Sequence, residues 1–200
     1  MTTSFGVTYD YRCPFARNAH EHVVTALRSG ADWEVDFVPF SLSQLHVEED
    51  DLPVWEDPHR SSELLALESS LVVAERFPDR FLDVHEALFA ARHDQARDLR
   101  DRDVVMDVLR SNGVDEAEVA AALQDGSARK EVRRRHEASV AEHQVFGVPT
   151  IITGERAAFV RILNRPKGDA AVARATIERL LDLIGGNPEI NEVKHTTVPL

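Results

Sequence analysis

The chain carries one sulfur nucleophile, Cys13, set in the run Asp10-Tyr11-Arg12-Cys13-Pro14-Phe15-Ala16. The run lies between an apolar segment, Phe5 to Tyr9, and a segment with helical spacing, Ala16 to Arg28. A thiol where a strand hands over to a helix sits at the positive end of the helix dipole. Free N–H groups there favour thiolate over thiol, so the position predicts a lowered pKa. Arg12 places a cation next door, and Pro14 flanks the thiol on the other side. The competing reading is a small buried hydrophobe, a common fate of single cysteines. A C-x-x-C motif would carry its second sulfur where this chain has Ala16. Any thiol chemistry therefore uses one protein sulfur.

Other reactive side chains offer less. His20 and His22 are two apart on a helix and face different ways. His136 and His143 are seven apart and could share a face, but no cysteine or third ligand stands near, so no metal site is expected. His46, His85 and His93 have no partner visible in the sequence. Lys130 to Arg135 is a basic helical run that reads as a solvated face, with reception of an anionic cofactor as the sharper alternative.

The elements that must position Cys13 can be read in outline. Phe5–Asp10 reads as a strand and Ala16–Arg28 as a helix, with Phe15, Ala19, Val23, Ala26 and Leu27 on one face and Ser29-Gly30 as the stop. Trp33–Phe40 alternates Trp33, Val35 and Phe37 against Glu34 and Asp36, a second strand ending at Pro39. A short β-α-β order favours a parallel pair with a right-handed crossover. His46–Pro58 is acidic, proline-bearing loop. Helices are predicted over Ser62–Arg76, Asp79–His93, Asp101–Ser111, Asp115–Gln124 and Ala128–Gln144. Asp115 and Ser127 are candidate N-caps, and Asn112-Gly113 and Asp125-Gly126 candidate stops. Strand pattern returns at Pro149–Thr153 and Ala157–Ile162, joined through Thr153-Gly154-Glu155-Arg156 as a hairpin. A last helix over Asp169–Ile184 should stop at Gly185-Gly186, leaving an extended polar tail, Asn187–Leu200.

Bulk composition sets limits. The chain has 200 residues, 43% of them hydrophobic, and a net charge of −12. That is enough apolar material for a packed core, with two charge signs interspersed. So acidic a chain is a poor candidate for nucleic acid or an anionic membrane surface. No stretch approaches the ~18 apolar residues of a membrane span. The opening Met1-Thr2-Thr3-Ser4 lacks a secretory leader's basic and apolar regions. With a single cysteine, this predicts a reducing, cytoplasmic location.

A second motif, Phe146-Gly147-Val148-Pro149-Thr150, opens the third predicted strand about 135 residues after Cys13. With Asp10-x-x-Cys13-Pro14-Phe15 before it, the chain resembles the thioredoxin-like superfamily, most closely its DsbA-like group. That group spans FrnE-type oxidoreductases, hydroxychromene-carboxylate isomerases and kappa-class glutathione transferases. Leu82–Gly113, with Leu88-Phe89-Ala90-Ala91, resembles the group's helical insertion. The implied fold is α/β: a thioredoxin-like domain over 1–45 and 146–186, an all-helical DsbA-type insertion over 59–145, and a tail over 187–200.

The resemblance implies that Pro149 is cis and faces the nucleophile, although local sequence alone reads it as a trans proline starting a strand. The N–H and C=O of Val148 would then be free to pair with an extended peptide or a thiol ligand, making Val148, Pro149 and Thr150 the binding loop. Asp10 matches the group's acidic residue; a turn-forming or N-cap role competes with proton transfer there. Tyr11 and Phe15 would flank the thiol and line an apolar groove, or else pack in the core. Relatives of the isomerase and transferase kind carry Ser in place of Cys13, so the cysteine favours redox chemistry.

Three functions are thus in view. The first is a monothiol oxidoreductase whose Cys13 mixed disulfide is resolved by an outside low-molecular-weight thiol, mycothiol or glutathione, with no tightly bound cofactor. The second is a thiol-dependent isomerase, transferase or reductase of a small electrophile. The third is a non-catalytic binding module. The helical block and the tail are features on which a homodimer could rest.

Overall fold

The computed structural model describes residues 2–195. Strand β1 (Thr3–Tyr9) leads through a tight loop into helix α1 (Pro14–Arg28), and β2 (Trp33–Pro39) returns parallel to β1 in register from Thr3↔Trp33 to Tyr9↔Pro39. Strands β3 (Thr150–Thr153) and β4 (Arg156–Phe159) form the predicted hairpin, and β3 pairs antiparallel with β1. The sheet order is β2-β1-β3-β4. The inner position of β1 puts its C-terminal end, and so Cys13, beside the start of β3.

Between the halves lie α2 (Leu42–Leu45), α3 (Leu65–Arg76, preceded by a 3₁₀ turn), α4 (Pro78–His93), α5 (Arg102–Ser111), α6 (Glu116–Ala122) and α7 (Ser127–His143); α8 (Ala170–Gly186) closes the chain. The five predicted central helices are all present. The short α2 was not predicted: four residues are too few to show a period, and Ser41 caps it by accepting from the Gln44 N–H. Asp115 caps α6 as expected. Ser127 does not cap α7; Gly126 holds that place at φ 70°, and Ser127 is the first helical residue. Gly185 and Gly186 form the last two residues of α8, and Asn187 caps it. The predicted β4 runs too far: after Phe159 the Val160 N–H turns to the Pro149 carbonyl at 3.0 Å. Of the predicted extended tail, 188–195 form no helix or strand, and 196–200 lie outside the described residues.

Two apolar cores result, with the half-buried Phe37 packed against both. Phe5, Val7, Val23, Ile151, Ile177 and Ile184 join the sheet to α1 and α8. The larger core fills the helical block and reaches back to take in Tyr9, Tyr11, Cys13, Ala16 and Phe40. The loop bearing the thiol therefore packs with the inserted helices. At the other end of the block, Gln144 closes α7 at φ 53°, a left-handed conformation uncommon for a residue with a Cβ. The Val145 N–H bonds back to the Ser139 carbonyl at 3.2 Å. This sharp exit delivers the chain to Gly147-Val148-Pro149.

Candidate functional site at the start of α1

Cys13 is the N-cap of α1. Its backbone is extended, and its sulfur accepts the Ala16 N–H at 3.4 Å, one of the helix's unpaired donors. Pro14, exposed, takes the first helical position, where the missing N–H costs nothing. The thiol in turn donates to the carbonyl oxygen of Val148 at 3.2 Å. The Val148–Pro149 peptide bond is cis. The sequence's two motifs thus meet at one atom, and the Val148 carbonyl, expected to be free, is taken by the thiol. Thr150 secures the same loop: its N–H donates to Thr8 Oγ1 and its hydroxyl to the Gly147 carbonyl, both at 2.8 Å.

The electrostatics differ from the sequence expectation. Cys13 is 8% exposed, and burial pushes its thiol up from the ordinary value, with the nearby Asp10 carboxylate adding to the rise. The N–H groups of Ala16 and Phe15 and the charge of Arg161 oppose this without overcoming it. The lowered pKa predicted from the helix start is therefore corrected: desolvation outweighs the dipole at this depth. A thiol that donates to a carbonyl is also held protonated.

Arg12 is not the thiol's cation. Its guanidinium pairs with Asp10 at 2.8 Å and Glu63 at 3.5 Å. Asp10, 2% exposed, accepts from the Arg12 N–H and guanidinium and from the Leu42 N–H, so it organises the turn and ties it to α2. This is the turn-forming role, not a helix cap and not a contact to the sulfur. A cavity of about 280 Å³ opens on the far side of this turn, between Arg12, Glu63, Arg92, Asp98 and Arg100, with Cys13 not among its lining residues.

Tyr11 is packed inside, which settles its reading in favour of the core. Its O–H bonds His85 Nδ1 at 2.8 Å, His85 Nε2 meets His20 Nδ1 at 2.8 Å, and His20 Nε2 meets the Thr8 carbonyl at 3.1 Å. A carbonyl only accepts, so His20 donates from Nε2, His85 donates to His20, and Tyr11 donates to His85. Every polar atom of this buried chain is satisfied with both rings neutral. Burial pushes His20 down to about 4 and His85 well below its ordinary value, the latter helped by His20. His93 adds a bond from Nε2 to the Tyr11 carbonyl at 2.9 Å. The helix α4 thereby grips the loop before Cys13. Sequence could not find these partners because they are 74, 65 and 82 residues apart.

Phe15 is half-buried and packs against the helical-block core, and it brings a residue that the sequence did not flag. The Arg161 guanidinium lies over the Phe15 ring at 5.5 Å and the Phe159 ring at 5.6 Å. Phe159 also contacts Phe146, ring centres 5.3 Å apart, and Phe146 is 69% exposed. The basic run of α7 is a salt-bridged face: Arg133 pairs with Glu56 and Glu137, Arg134 with Glu131, and Arg135 with Asp36 and Glu131. His136 is buried, stacked on Phe40, and accepts the Ser41 N–H. No group of three or more His, Cys, Asp or Glu side chains able to hold a metal occurs among the described residues. No described helix is long and apolar enough to cross a membrane.

The chain is similar in structure to the cytosolic disulfide reductase DsbM from Pseudomonas aeruginosa with GSH: TM-score 0.61 at 14% identity, covering 90% of this chain and 100% of that one. The catalytic domain of Proteus mirabilis ScsC superposes with a TM-score of 0.60 at 17% identity, over 89% of this chain and 82% of that one. Oxidised BdbD from Bacillus subtilis gives 0.58 at 18%, over 90% and 87%. At these identities the likeness speaks for the fold. No curated protein sequence matches the chain. The model of the DSBA-like thioredoxin domain matches residues 7–164, a span from within β1 past the β3–β4 hairpin that takes in Cys13, the inserted helices and the cis-proline loop. The chain thus belongs to the DSBA-like thioredoxin family.

Proposed function

We propose that the protein is a cytoplasmic thiol-disulfide oxidoreductase working with Cys13 alone. The observation that carries this is the meeting of the Cys13 thiol with the Val148 carbonyl at the cis-proline loop, with Ala16 where a resolving sulfur would stand. On opening of the S–H···O contact, the thiol gives its proton to solvent. The N–H groups of Ala16 and Phe15 and the charge of Arg161 stabilise the thiolate. The thiolate attacks one sulfur of a disulfide RSSR′, forming Cys13–S–S–R and releasing R′S⁻, which takes up a proton. A second thiolate from a low-molecular-weight thiol attacks the R sulfur, and Cys13 leaves as thiolate. Each cycle consumes one small thiol per thiol released, with no net oxidation of the protein. Glutathione or mycothiol is the proposed recycling thiol; the GSH-bearing DsbM neighbour supports this class. The domain roles follow: residues 1–45 and 146–186 hold the sulfur, and the insertion over 59–145 sets what reaches it.

One observation favours a second reading. A thiol held protonated can donate a hydrogen bond to a bound small thiol, as an isomerase or transferase site requires.

Intact-mass measurement on protein purified without reductant decides. A single small-thiol adduct lost in Cys13→Ser, with turnover of glutathione disulfide or mycothiol disulfide also lost, is the expected outcome. An unmodified chain whose activity on a small electrophile survives Cys13→Ser overturns the redox reading.

A further inference from the structure

We infer that Arg161 is a specificity-determining residue that selects carboxylate-bearing thiols and disulfides for Cys13. The inference rests on the oxidoreductase reading and goes beyond it by naming the chemical class that the site prefers.

Arg161 is exposed, yet its backbone is pinned on both sides. The Val160 N–H donates to the Pro149 carbonyl at 3.0 Å, which ties the segment to the cis-proline loop. Asn18 Nδ2, on α1, donates to the carbonyls of Ile162 at 2.9 Å and Leu163 at 3.1 Å, which ties it to the helix that Cys13 caps. The side chain is placed as well. Its guanidinium lies over two rings, Phe15 two residues beyond the nucleophile and Phe159 at the end of β4. Phe159 is itself held, since it packs so close to Gly147 that a Cβ there would come within 3.1 Å of its ring.

This cation is uncommitted. Nearby Arg17 pairs with Asp94, and Arg165 with Glu21 and Asp94; Arg161 has no carboxylate partner among the described residues. Its field reaches Cys13. In a chain with 35 acidic against 23 basic side chains, the background field repels anions, so a guanidinium stacked on the ring two residues beyond the sulfur is a local exception. Aromatic stacking leaves a guanidinium's edge N–H groups available for bidentate binding of a carboxylate. Phe159 and Phe146 extend from it as an apolar ledge along which the rest of a small substrate can lie.

The test uses the reduced full chain and three simple disulfides: dithiodiglycolate (dianionic), bis(2-hydroxyethyl) disulfide (neutral) and cystamine (dicationic). Rates of mixed-disulfide formation on Cys13 are followed by quenched mass spectrometry at one pH. The wild-type chain should prefer the dianion, and Arg161→Gln should cut the dianion-to-dication rate ratio by roughly fivefold or more. Arg161→Lys should keep part of the preference, and added salt should collapse it in the wild type. Loss of Arg161's help to the thiolate slows all three probes alike, so the ratio isolates charge recognition. A ratio unchanged in Arg161→Gln overturns the assignment while leaving the oxidoreductase reading intact. A wild-type chain that reacts with none of the three overturns both.

Discussion

The Cys13 thiol points at the carbonyl oxygen of Val148, 3.2 Å away and 135 residues later in the chain. At rest the sulfur is therefore a hydrogen-bond donor in a nearly closed site. Its alkylation by iodoacetamide should accelerate only above the ordinary thiol range, with a midpoint higher than about 8.5. The sign follows from burial, which the helix-start N–H groups do not overcome. A midpoint near 6 would show that the dipole wins after all.

Introducing Ala16→Cys restores the C-x-x-C spacing at a position where the N–H already touches the Cys13 sulfur. The variant should lose accumulated small-thiol adducts, because the second sulfur displaces them and closes a disulfide. Intact mass roughly two units below the reduced protein, the loss of two hydrogen atoms as the adduct leaves as a free thiol, is the expected signature. Persistence of the adduct in the double-cysteine chain would show that residue 16 cannot reach residue 13.

The neutral chain of Tyr11, His85 and His20 makes the fold acid-sensitive. The folded pKa of His20 is depressed to about 4, while in the unfolded chain it is about 6.5. The unfolded state therefore binds the proton first as pH falls. The stability from this residue is fully present above pH 6.5 and is lost between pH 6.5 and 4, on the order of 3 kcal/mol. His85 and His136 act with the same sign. Urea midpoints at pH 7, 5.5 and 4.5 check this; a flat profile across that window would contradict it.

Replacing Tyr11 by Phe removes the donor to His85 Nδ1 and leaves a buried acceptor unpaired. The expected cost is about 1–3 kcal/mol, visible as a lower urea midpoint at pH 7. Tyr9→Phe, which removes a donor from a Ser70 hydroxyl already bonded to the Leu67 carbonyl, should cost less. Equal costs would mean that the histidine chain adds nothing of its own.

A methyl group at residue 147 would press on the Phe159 ring at 3.1 Å. Gly147→Ala should destabilise by about 1 kcal/mol and shift the ring that carries Arg161. The measured pair is a small drop in urea midpoint and a weakened preference for anionic disulfides; an unchanged preference would separate the ring from the recognition of charge.

How much of this was legible beforehand depends on distance along the chain. Helix and strand order came from periodicity and punctuation, and the pairing of Cys13 with the Pro149 loop came from two motifs recognised together. The misreadings were of environment. The spacing of Cys13 announces a helix start, but nothing local reports how deeply the helical block covers it. Arg12 is adjacent in sequence and turned to Asp10, whereas Arg161 is remote in sequence and lies over the neighbouring ring. His85 and His93 looked partnerless because their partner, Tyr11, lies on another element. Gly185-Gly186 looked like a stop beyond Ile184, yet α8 includes both and is capped by Asn187.

The division into two cores has a mechanical consequence. The sulfur shares its packing with the inserted helices, while a second cluster joins the sheet to α1 and α8, with Phe37 packed against both. Fraying of the inserted block would bare the thiol with the strands still paired. Amide deuteration in α3 and α4 and trapping of Cys13 should then rise in step under mild denaturant, ahead of any loss in β1.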